Sequence, residues 1–357
     1  MSIQTSISSK PDFREATNLL RGICAFSVIL WHYQHFFWAS SDRSFEVTRQ
    51  PFYKVFQLPY TMGSIGVPIF WCISGLILTH SYQNSAQPTL REFLISRLTR
   101  LYPLHLVTLF LVAALQQVSL RTLDTFQIYA HNDAYHFVLN LFFVQSWGFE
   151  SGRSFNAPSW SVSTEIVVYI IFLYSLKFFN RYKLFGSVVF FLTPVIYSNV
   201  VTPLSSLIFF KDCLTYFLLG VSVFYLSGTK LKQFPILGSV VSLCLIVWGS
   251  TESQTSDQLL VGSLVAMFAF LDLTSLQRIL KPLRLFGELS YSIFLLHVPL
   301  QIFIKLTLSG FAIDESIAYN NVFFVVFIAL TYFFGYLTHR HIEQPAQRYL
   351  RQKLIRV

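Results

Sequence analysis

The sequence has few charged residues and no polar stretch long enough to form a soluble domain. Charged residues make up 12% of the 357 residues and hydrophobic residues 54%, whereas about a quarter of the residues in a typical soluble domain are charged. Gly/Ser or Pro linkers and repeats of fixed period are also missing, so we expect a single domain over residues 1–357. The composition therefore predicts an all-α polytopic protein embedded in a lipid bilayer.

Cysteine is also scarce, and its placement excludes two common roles. The four cysteines fall inside apolar stretches, with neither the paired framework of a disulfide-rich domain nor the close spacing of zinc ligands. No pair of histidines has the spacing of metal ligands either, so we expect no metal site. We predict buried free thiols at Cys24, Cys72, Cys213 and Cys244.

The net charge of +9 raises the possibility of a nucleic-acid partner. However, the basic residues are spread over many short connections, so no basic face of a folded domain is available to bind a phosphate backbone. We therefore expect no nucleic-acid partner and attribute the basic residues to membrane topology.

Windows of about 20 apolar residues, the length that crosses the hydrocarbon core, predict ten transmembrane helices. The first lacks a small-residue cleavage site and is too long for the apolar part of a signal peptide, so we expect it to be retained. A shorter apolar stretch over 136–149 predicts a re-entrant or interfacial segment. The predicted spans lie near 18–38, 60–82, 98–118, 160–178, 182–200, 205–227, 234–250, 257–273, 289–309 and 318–338.

The distribution of Lys and Arg between the connections supports an even number of spans. If the N-terminus is cytoplasmic, most basic residues in the connections fall on the cytoplasmic side, as the positive-inside rule requires. The outer connections then hold only Arg43, Arg49, Lys54, Arg121 and Arg153. This asymmetry predicts that both termini are cytoplasmic, and an extra crossing would destroy it beyond that point.

The first predicted span carries Arg21 and His32, which are eleven positions apart. Eleven residues make about three full turns plus 20°, so both side chains lie on one helix face about 16 Å apart along the axis. Ionisable groups inside spans are costly and usually face a cavity or a pathway. One ligand of the length of a pantetheine arm would reach both residues.

The fourth predicted span carries Glu165, which we place at a depth similar to that of His32. A carboxylate beside an imidazole would orient it and stabilise its protonated form, which suits a general base. Two interpretations stay open at this point, because His32 and Glu165 would also serve to tie helices together through hydrogen bonds.

Arg97 and Arg100 lie one helical turn apart at the cytoplasmic start of the third predicted span. Guanidinium groups at this spacing suit the phosphates of a nucleotide-containing donor such as coenzyme A, with Arg21 as a third contact. The alternative is that positive-inside topology alone places arginine there.

Six short segments, which together extend from Arg21 to Pro345, resemble motifs of the acyltransferase-3 family of integral membrane O-acyltransferases. Each match is short, but six in the same order are specific, although Trp71, Ile166 and Val168 depart from the residues common in the family. The matching segments are Arg21 with His32, Gly66–Gly75, Arg97 with Arg100, Ser159–Glu165 with Tyr169, Gly287–His297, and Ile342–Pro345.

The resemblance implies transfer of an acyl group, commonly acetyl from acetyl-CoA, to a hydroxyl of a cell-surface polysaccharide, a lipopolysaccharide or a related glycan. It implies a catalytic His32, and from the residues we add Glu165 as its support and Arg21, Arg97 and Arg100 as donor-binding groups. The acyl-CoA is a donor substrate, and no permanently bound cofactor is expected. The sequence does not identify the groups that stabilise the oxyanion, for which Ser74, Tyr169 and Tyr291 are candidates, and His297 either lines the donor channel or packs as a hydrogen-bonding residue.

Two rival functions are a transporter or flippase for a lipid-linked glycan and a non-catalytic scaffold. The transporter is disfavoured because no inverted repeat or matching pair of broken helices is visible. The sequence does not identify the acceptor, the acyl chain or the oligomeric state. We expect a bacterial inner membrane, no appended extracellular domain after the last span, and acceptor selection by the outer loop 119–159.

Overall fold

The computed structural model describes residues 15–38, 45–83, 88–200, 208–228, 230–251 and 257–355. These residues form α-helices, short 3-10 helices and one π-helical turn, with no strand among them, which confirms the all-helical prediction. The α-helices are α1 Glu15–Trp31, α2 Tyr53–Met62, α3 Gly66–Tyr82, α4 Leu90–Leu123, α5 Ala134–Leu141, α6 Trp160–Val200, α7 Ile208–Ser227, α8 Pro235–Thr251, α9 Asp257–Leu271, α10 Gln277–Leu280, α11 Arg284–Glu288, α12 Ser290–Gly310, α13 Asn321–Thr338 and α14 Gln344–Ile355.

Six helical stretches of the described residues are long and apolar enough to cross a membrane. Each overlaps at least one of the predicted spans, and Ala157–Val189 also reaches into the fifth. Together with the apolar composition they indicate a multi-pass membrane protein. These stretches are Tyr53–Tyr82, Leu90–Leu123, Ala157–Val189, Phe209–Ser227, Gln277–Gly310 and Asn321–Leu354.

The other four predicted spans fall on helices that are shorter or interrupted. The first corresponds to α1, which has 17 residues and continues into a 3-10 helix over His32–Phe37. The fifth lies in the second part of α6, beyond a break at Lys183, where φ is 47°. The seventh and eighth correspond to α8 and α9, whose apolar parts have fewer than 18 residues. The total of ten spans and the cytoplasmic termini stay predictions.

The segment before α6 contains a short helix, α5, whose N-terminus is capped by a neighbouring side chain. Helix α5 has eight residues, a length of about 12 Å, so it does not cross a bilayer. The Asp133 side chain accepts from the His136 backbone N–H at its N-terminus. Hydrogen bonds from the His136 backbone and ring hold the pKa of the Asp133 carboxyl below its ordinary value. The first part of the predicted segment 136–149 is therefore a short, capped helix, and its re-entrant or interfacial placement stays a prediction.

Helix α1 lies at the centre of the bundle and packs against α2, α3, α9, α11 and α12. Most of its apolar residues are fully buried, including Leu20, Ala25, Ile29 and Leu30. Its N-terminus is also held, because Asp272 accepts a hydrogen bond from the Ala16 N–H at 2.6 Å. A short helix with this many neighbours has little freedom to rotate, so the side chains it carries are oriented by the whole bundle.

Helices α3 and α7 approach each other closely through two glycines. A Cβ atom at Gly75 would overlap the Phe217 carbonyl oxygen, and one at Gly220 would overlap the Cys72 carbonyl oxygen. Small residues permit this backbone contact between membrane helices, where packing rather than the hydrophobic effect holds helices together. The contact fixes α3, which carries part of the site described below.

Replacing Gly75 or Gly220 by alanine should destabilise the protein by about 1–3 kcal/mol, the usual cost of overpacking a filled interface. Thermal unfolding of the purified variants in detergent measures the change. Gly310→Ala is the matched control, because no described atom lies within 4 Å of its added Cβ. Equal unfolding temperatures for all three variants would contradict the packing argument.

The cysteines are unpaired, but one part of their prediction is wrong. Cys24, Cys72 and Cys213 are buried free thiols, whereas Cys244 is exposed on α8. Apolar sequence surroundings do not distinguish the packed face of a membrane helix from the face that contacts lipid. An exposed thiol on an apolar helix is compatible with contact to the hydrocarbon core.

Candidate active site

Five helices enclose a cavity of about 120 Å³. Its walls come from α1, α3, α4, α6 and α12, and each of these helices contributes one of the motif segments singled out in the sequence. Hydroxyl groups form much of the polar lining, at Ser74, Ser161, Tyr169, Ser290 and Tyr291. Residues from five distant parts of the sequence thus meet around one space.

Three guanidinium groups line this cavity: Arg21 on α1 and Arg97 and Arg100 on α4. Arg21 lies within electrostatic range of Arg100 and of the Glu343 and Glu165 carboxylates. The helix that carries Arg97 and Arg100 begins about two turns earlier, where Thr89 and Glu92 form a reciprocal capping box. The arginines predicted to act together are therefore brought together, and their repulsion favours an anionic ligand between them.

Glu165 on α6 also lines the cavity and is 9% exposed. Its neighbours include the Ser74 and Tyr169 hydroxyls and the guanidinium groups of Arg97 and Arg100. Among the described residues, Glu165 Oε1 and Ser290 Oγ are buried without a hydrogen-bond partner. Buried polar atoms rarely lack partners, and two of them in one cavity indicate a place for a bound ligand or water.

The structure places Glu165 with the arginines and not with His32. No hydrogen bond joins these two side chains within the described ranges, and the predicted support of His32 by Glu165 is corrected accordingly. The depth of a residue in a span follows from its sequence position, but its direction around the helix axis depends on packing. Two residues at one depth therefore need not meet.

The partner of His32 is His297, a buried residue of α12. The His32 Nδ1 and His297 Nε2 atoms are 2.8 Å apart, and the two rings lie side by side with an interplanar angle of 12° and centroids separated by 5.0 Å. His297 Nδ1 lies 3.3 Å from the Ile293 carbonyl oxygen and donates to it. His297 Nε2 is then an acceptor, so His32 Nδ1 carries a proton and His32 Nε2 has a free lone pair.

A third histidine completes this cluster. His35 lies one 3-10 turn beyond His32, and the two rings stack with centroids 4.8 Å apart. His35 Nδ1 lies 3.1 Å from Gln301 Oε1, and the Gln301 amide donates to the His32 carbonyl oxygen at 2.9 Å. Both the side chain and the backbone of His32 are thus held by α12.

The histidine cluster and the cavity are neighbouring parts of one site. Phe294 lines the cavity, and its ring centroid is 6.1 Å from that of His297. Arg21 lies in the middle of α1 and His32 directly follows the end of α1, so the two are about 16 Å apart along the axis. The arrangement separates an anion-binding end from a basic nitrogen.

Arg153 approaches the histidine cluster from the loop before α6. Its guanidinium lies over the rings of Trp160 and Phe209, at 4.4 and 4.8 Å from their centroids, and it interacts electrostatically with His32. Burial raises the pKa of the neighbouring Glu150 carboxyl, a shift that Arg153 opposes. Within the described part of the chain, Arg153 Nη1 is buried without a hydrogen-bond partner, so a donor is available beside His32.

The last motif segment, Ile342–Pro345, contributes Glu343, which bonds to α12 at the end of the site that is predicted to be cytoplasmic. The Ser292 hydroxyl donates to Glu343 Oε2 at 2.6 Å, and His339 Nδ1 lies 3.0 Å from the same oxygen. Glu343 ends the π-helical turn His339–Glu343, a conformation common at functional sites. Its carboxylate provides a fixed negative charge near Arg21.

The motifs that build this site match one protein family over nearly the whole chain. A family model described as an acyltransferase domain matches residues 14–340. The chain belongs to the acyltransferase-3 family. The prediction of the family is confirmed, and the match covers every residue of the cavity and of the histidine cluster.

One curated relative is the protein named acyltransferase MdmB from Streptomyces mycarofaciens. It is 38% identical over 116 residues. The alignment covers 31% of this chain and 28% of the relative, so the chain spans less than a third of that relative's length. No solved structure matches the chain.

Sequence reasoning identified the cavity arginines, Glu165 and His32, but it left His297 undecided and missed Gln301 and Arg153. The spacing of four residues between His297 and Gln301 was a usable signal, because it puts both side chains on one face of α12. No comparable signal existed for Arg153, whose position depends on the fold of a loop. The roles assigned to these residues are part of the proposal below.

The proximity of Arg97 to Glu165 is testable by stability alone. We expect Arg97→Gln and Glu165→Gln to show a coupling free energy of about 0.5–3 kcal/mol in a double-mutant cycle, because each charge compensates the other in a buried site. Thermal unfolding of the two single variants and the double variant supplies the cycle. Arg91→Gln, an exposed arginine on the same helix, should add to Glu165→Gln without coupling, and equal coupling for both arginines would refute the contact.

Proposed function

We propose that the chain is a membrane O-acyltransferase that moves an acyl group, acetyl in the first instance, from acyl-CoA to a hydroxyl of a cell-surface polysaccharide, lipopolysaccharide or related glycan. Membership of the acyltransferase-3 family supports the reaction class. The observation that carries the proposal is the hydrogen-bonded pair of His32 and His297 beside a cavity lined by three arginines. The proposed membrane is a bacterial inner membrane.

The donor site is the arginine end of the cavity. Arg21, Arg97 and Arg100 suit phosphate groups, since each guanidinium offers several N–H donors in a planar fork. A cavity of about 120 Å³ is too small for a whole coenzyme A, so the nucleotide remains at the membrane surface and the narrow pantetheine arm enters. The distance of about 16 Å along α1 matches the reach from these phosphates to His32.

The histidine pair supplies general base catalysis. His32 Nε2 accepts the proton of the acceptor hydroxyl as its oxygen attacks the thioester carbonyl carbon, and a C–O bond forms. The tetrahedral intermediate then collapses with cleavage of the C–S bond, and His32 Nε2 returns the proton to the departing thiolate. His297 holds His32 in the required tautomer and stabilises the positive charge on its ring by accepting from Nδ1.

The negative charge on the developing oxyanion requires a hydrogen-bond donor beside that oxygen. Arg153 is one such group, because its guanidinium interacts with His32 and has an unsatisfied N–H among the described residues. Its position in the loop predicted to lie outside also suits contact with an acceptor that arrives from that side. The Trp160 and Phe209 rings keep the guanidinium in place through cation–π contacts.

The first test compares wild type with His32→Ala and His297→Leu in lipid nanodiscs. CoA release from acetyl-CoA is measured together with mass spectrometry of surface glycans from cells that express each variant. We expect no acetyl transfer by His32→Ala and a fall in kcat of about 100-fold for His297→Leu, with KM for acetyl-CoA unchanged. His341→Ala, an exposed histidine, should match wild type.

If wild type and a folded His32→Ala release CoA equally and leave the same glycans unmodified, the acyltransferase proposal fails. Movement of a lipid-linked glycan across vesicles by both proteins would then favour the transporter. An acetylated sugar found only with wild type would identify the acceptor.

The second test addresses the donor site. Arg97→Gln and Arg100→Gln should each raise KM for acetyl-CoA about tenfold or more, since each removes a charge-assisted hydrogen bond to phosphate. Added salt should weaken the wild-type donor affinity more than that of the variants. Arg91→Gln is the matched control on α4, and a KM shift as large in this control would assign the effect to surface charge instead of the cavity.

A further inference from the structure

Three polar residues on α12 contact the segment that carries the catalytic histidine. His297, Gln301 and Lys305 are spaced four residues apart, so they lie on one face of the helix. His297 bonds to the His32 ring, and Gln301 to the His32 carbonyl oxygen and the His35 ring. Lys305 is the third member of this row, and neither the sequence analysis nor the proposed mechanism assigns it a role.

Lys305 is 2% exposed, which is unusual for lysine. Its ammonium group donates to the carbonyl oxygens of His35, Phe36 and Trp38, at 3.3, 3.2 and 2.8 Å. These carbonyls lie at the C-terminal end of the 3-10 helix His32–Phe37, where backbone N–H donors run short, although the His35 carbonyl also accepts from the Trp38 N–H. The cation also faces the negative end of the helix dipole.

The second partner of Lys305 is Glu315, whose Oε1 lies 2.9 Å from Nζ. Glu315 begins the short 3-10 helix Glu315–Tyr319, and the side chain of the preceding Asp314 accepts from the Ser316 N–H. Tyr33 bonds to the same short helix through the Ala318 carbonyl oxygen at 2.7 Å. The segment after His32 is therefore held between α12 and the connection that follows it.

The 3-10 conformation determines where the histidines point. Side chains at positions i and i+3 eclipse in a 3-10 helix, whereas in an α-helix they diverge by about 60°. His32 and His35 are three positions apart, and their rings stack with an interplanar angle of 21°. Loss of the bonds that stabilise the 3-10 end would let this segment relax and rotate the rings away from His297 and Gln301.

We propose that Lys305 is a positioning residue for acyl transfer, which holds the 3-10 helix so that His32 Nδ1 faces His297 and Nε2 faces the reacting hydroxyl. This inference rests on the proposed function of His32. Lys305 does not touch substrate, and its charge is balanced by Glu315. Its effect should therefore appear in the chemical step and not in donor binding.

The test uses the full chain in nanodiscs with the variants Lys305→Met, Lys305→Arg and Glu315→Gln. Lys305→Met keeps the length of the side chain but removes its donors, and we expect kcat to fall about 100-fold, the effect of a misplacement of about 1 Å. KM for acetyl-CoA should stay at the wild-type value. Lys305→Arg and Glu315→Gln retain a donor to the carbonyl oxygens and should keep most of kcat.

A second readout follows His32 without turnover. Diethyl pyrocarbonate modifies accessible imidazole nitrogens, and mass spectrometry of the digested protein measures the rate at His32 alone. Lys305→Met should speed this modification, because the His32 ring is released from His297. The stability control is Asp272→Ala, which removes the hydrogen bonds at the opposite end of α1 and should lower the unfolding temperature without changing the His32 modification rate.

If Lys305→Met has the same kcat and the same rate of His32 modification as wild type, the inference is overturned and the proposed function stands. Equal losses of kcat in Lys305→Met and Asp272→Ala, with no change in His32 modification, would also overturn it, since the residue would then serve stability alone. Absence of acyl transfer by wild type would refute the proposed function instead. Faster His32 modification in Lys305→Met would in that case still establish that Lys305 positions the ring.

Discussion

A hydrogen bond of 2.8 Å between His32 Nδ1 and His297 Nε2 joins α1 to α12 at the point where α1 changes from an α-helix to a 3-10 helix. Because His297 donates from Nδ1 to the Ile293 carbonyl, its Nε2 accepts from His32 Nδ1, and this direction determines which His32 nitrogen is basic. The tautomer of the His32 ring is therefore set by the backbone of a different helix. In an apolar interior such a chain of bonds has no competition from water, so it defines one arrangement of the site.

The scarcity of charge explains why the few polar groups inside the bundle are informative. Most buried polar side chains of the described residues have partners, as the cost of an unsatisfied group requires. Glu165 Oε1 and Ser290 Oγ face the same cavity without a partner, and three guanidinium groups approach them. A cluster with this excess of positive charge is more stable with an anion bound than without one, so binding of the proposed donor would stabilise the bundle.

The sequence allowed the cavity to be predicted better than the histidine pair. Arg97 and Arg100 were recognised because their spacing of three residues is local, and the family motifs located Arg21, Glu165 and the other segments along the chain. The partner of His32 was assigned wrongly to Glu165, because depth along a span is encoded locally whereas the facing of two helices depends on packing among all of them. Lys305 was missed for a related reason: a buried lysine is interpretable only once the carbonyl groups it caps are known.

The separation of the arginines from the histidine pair has an electrostatic reason in addition to the length of the proposed donor. A guanidinium close to His32 Nε2 would disfavour the imidazolium that forms during proton transfer, since like charges repel strongly where the dielectric constant is low. Arg21 lies about 16 Å from His32 along α1, and in the proposed reaction this separation would keep its attraction for phosphate while leaving the His32 ring able to accept a proton. Arg153, unlike the three cavity arginines, lies beside the histidine cluster. Its Nη1 atom is 3.9 Å from Glu150 Oε1, and this carboxylate offsets part of its charge. A cation beside the reacting centre is tolerable under this condition, and its remaining field favours the oxyanion, which appears in the same step as the charge on His32.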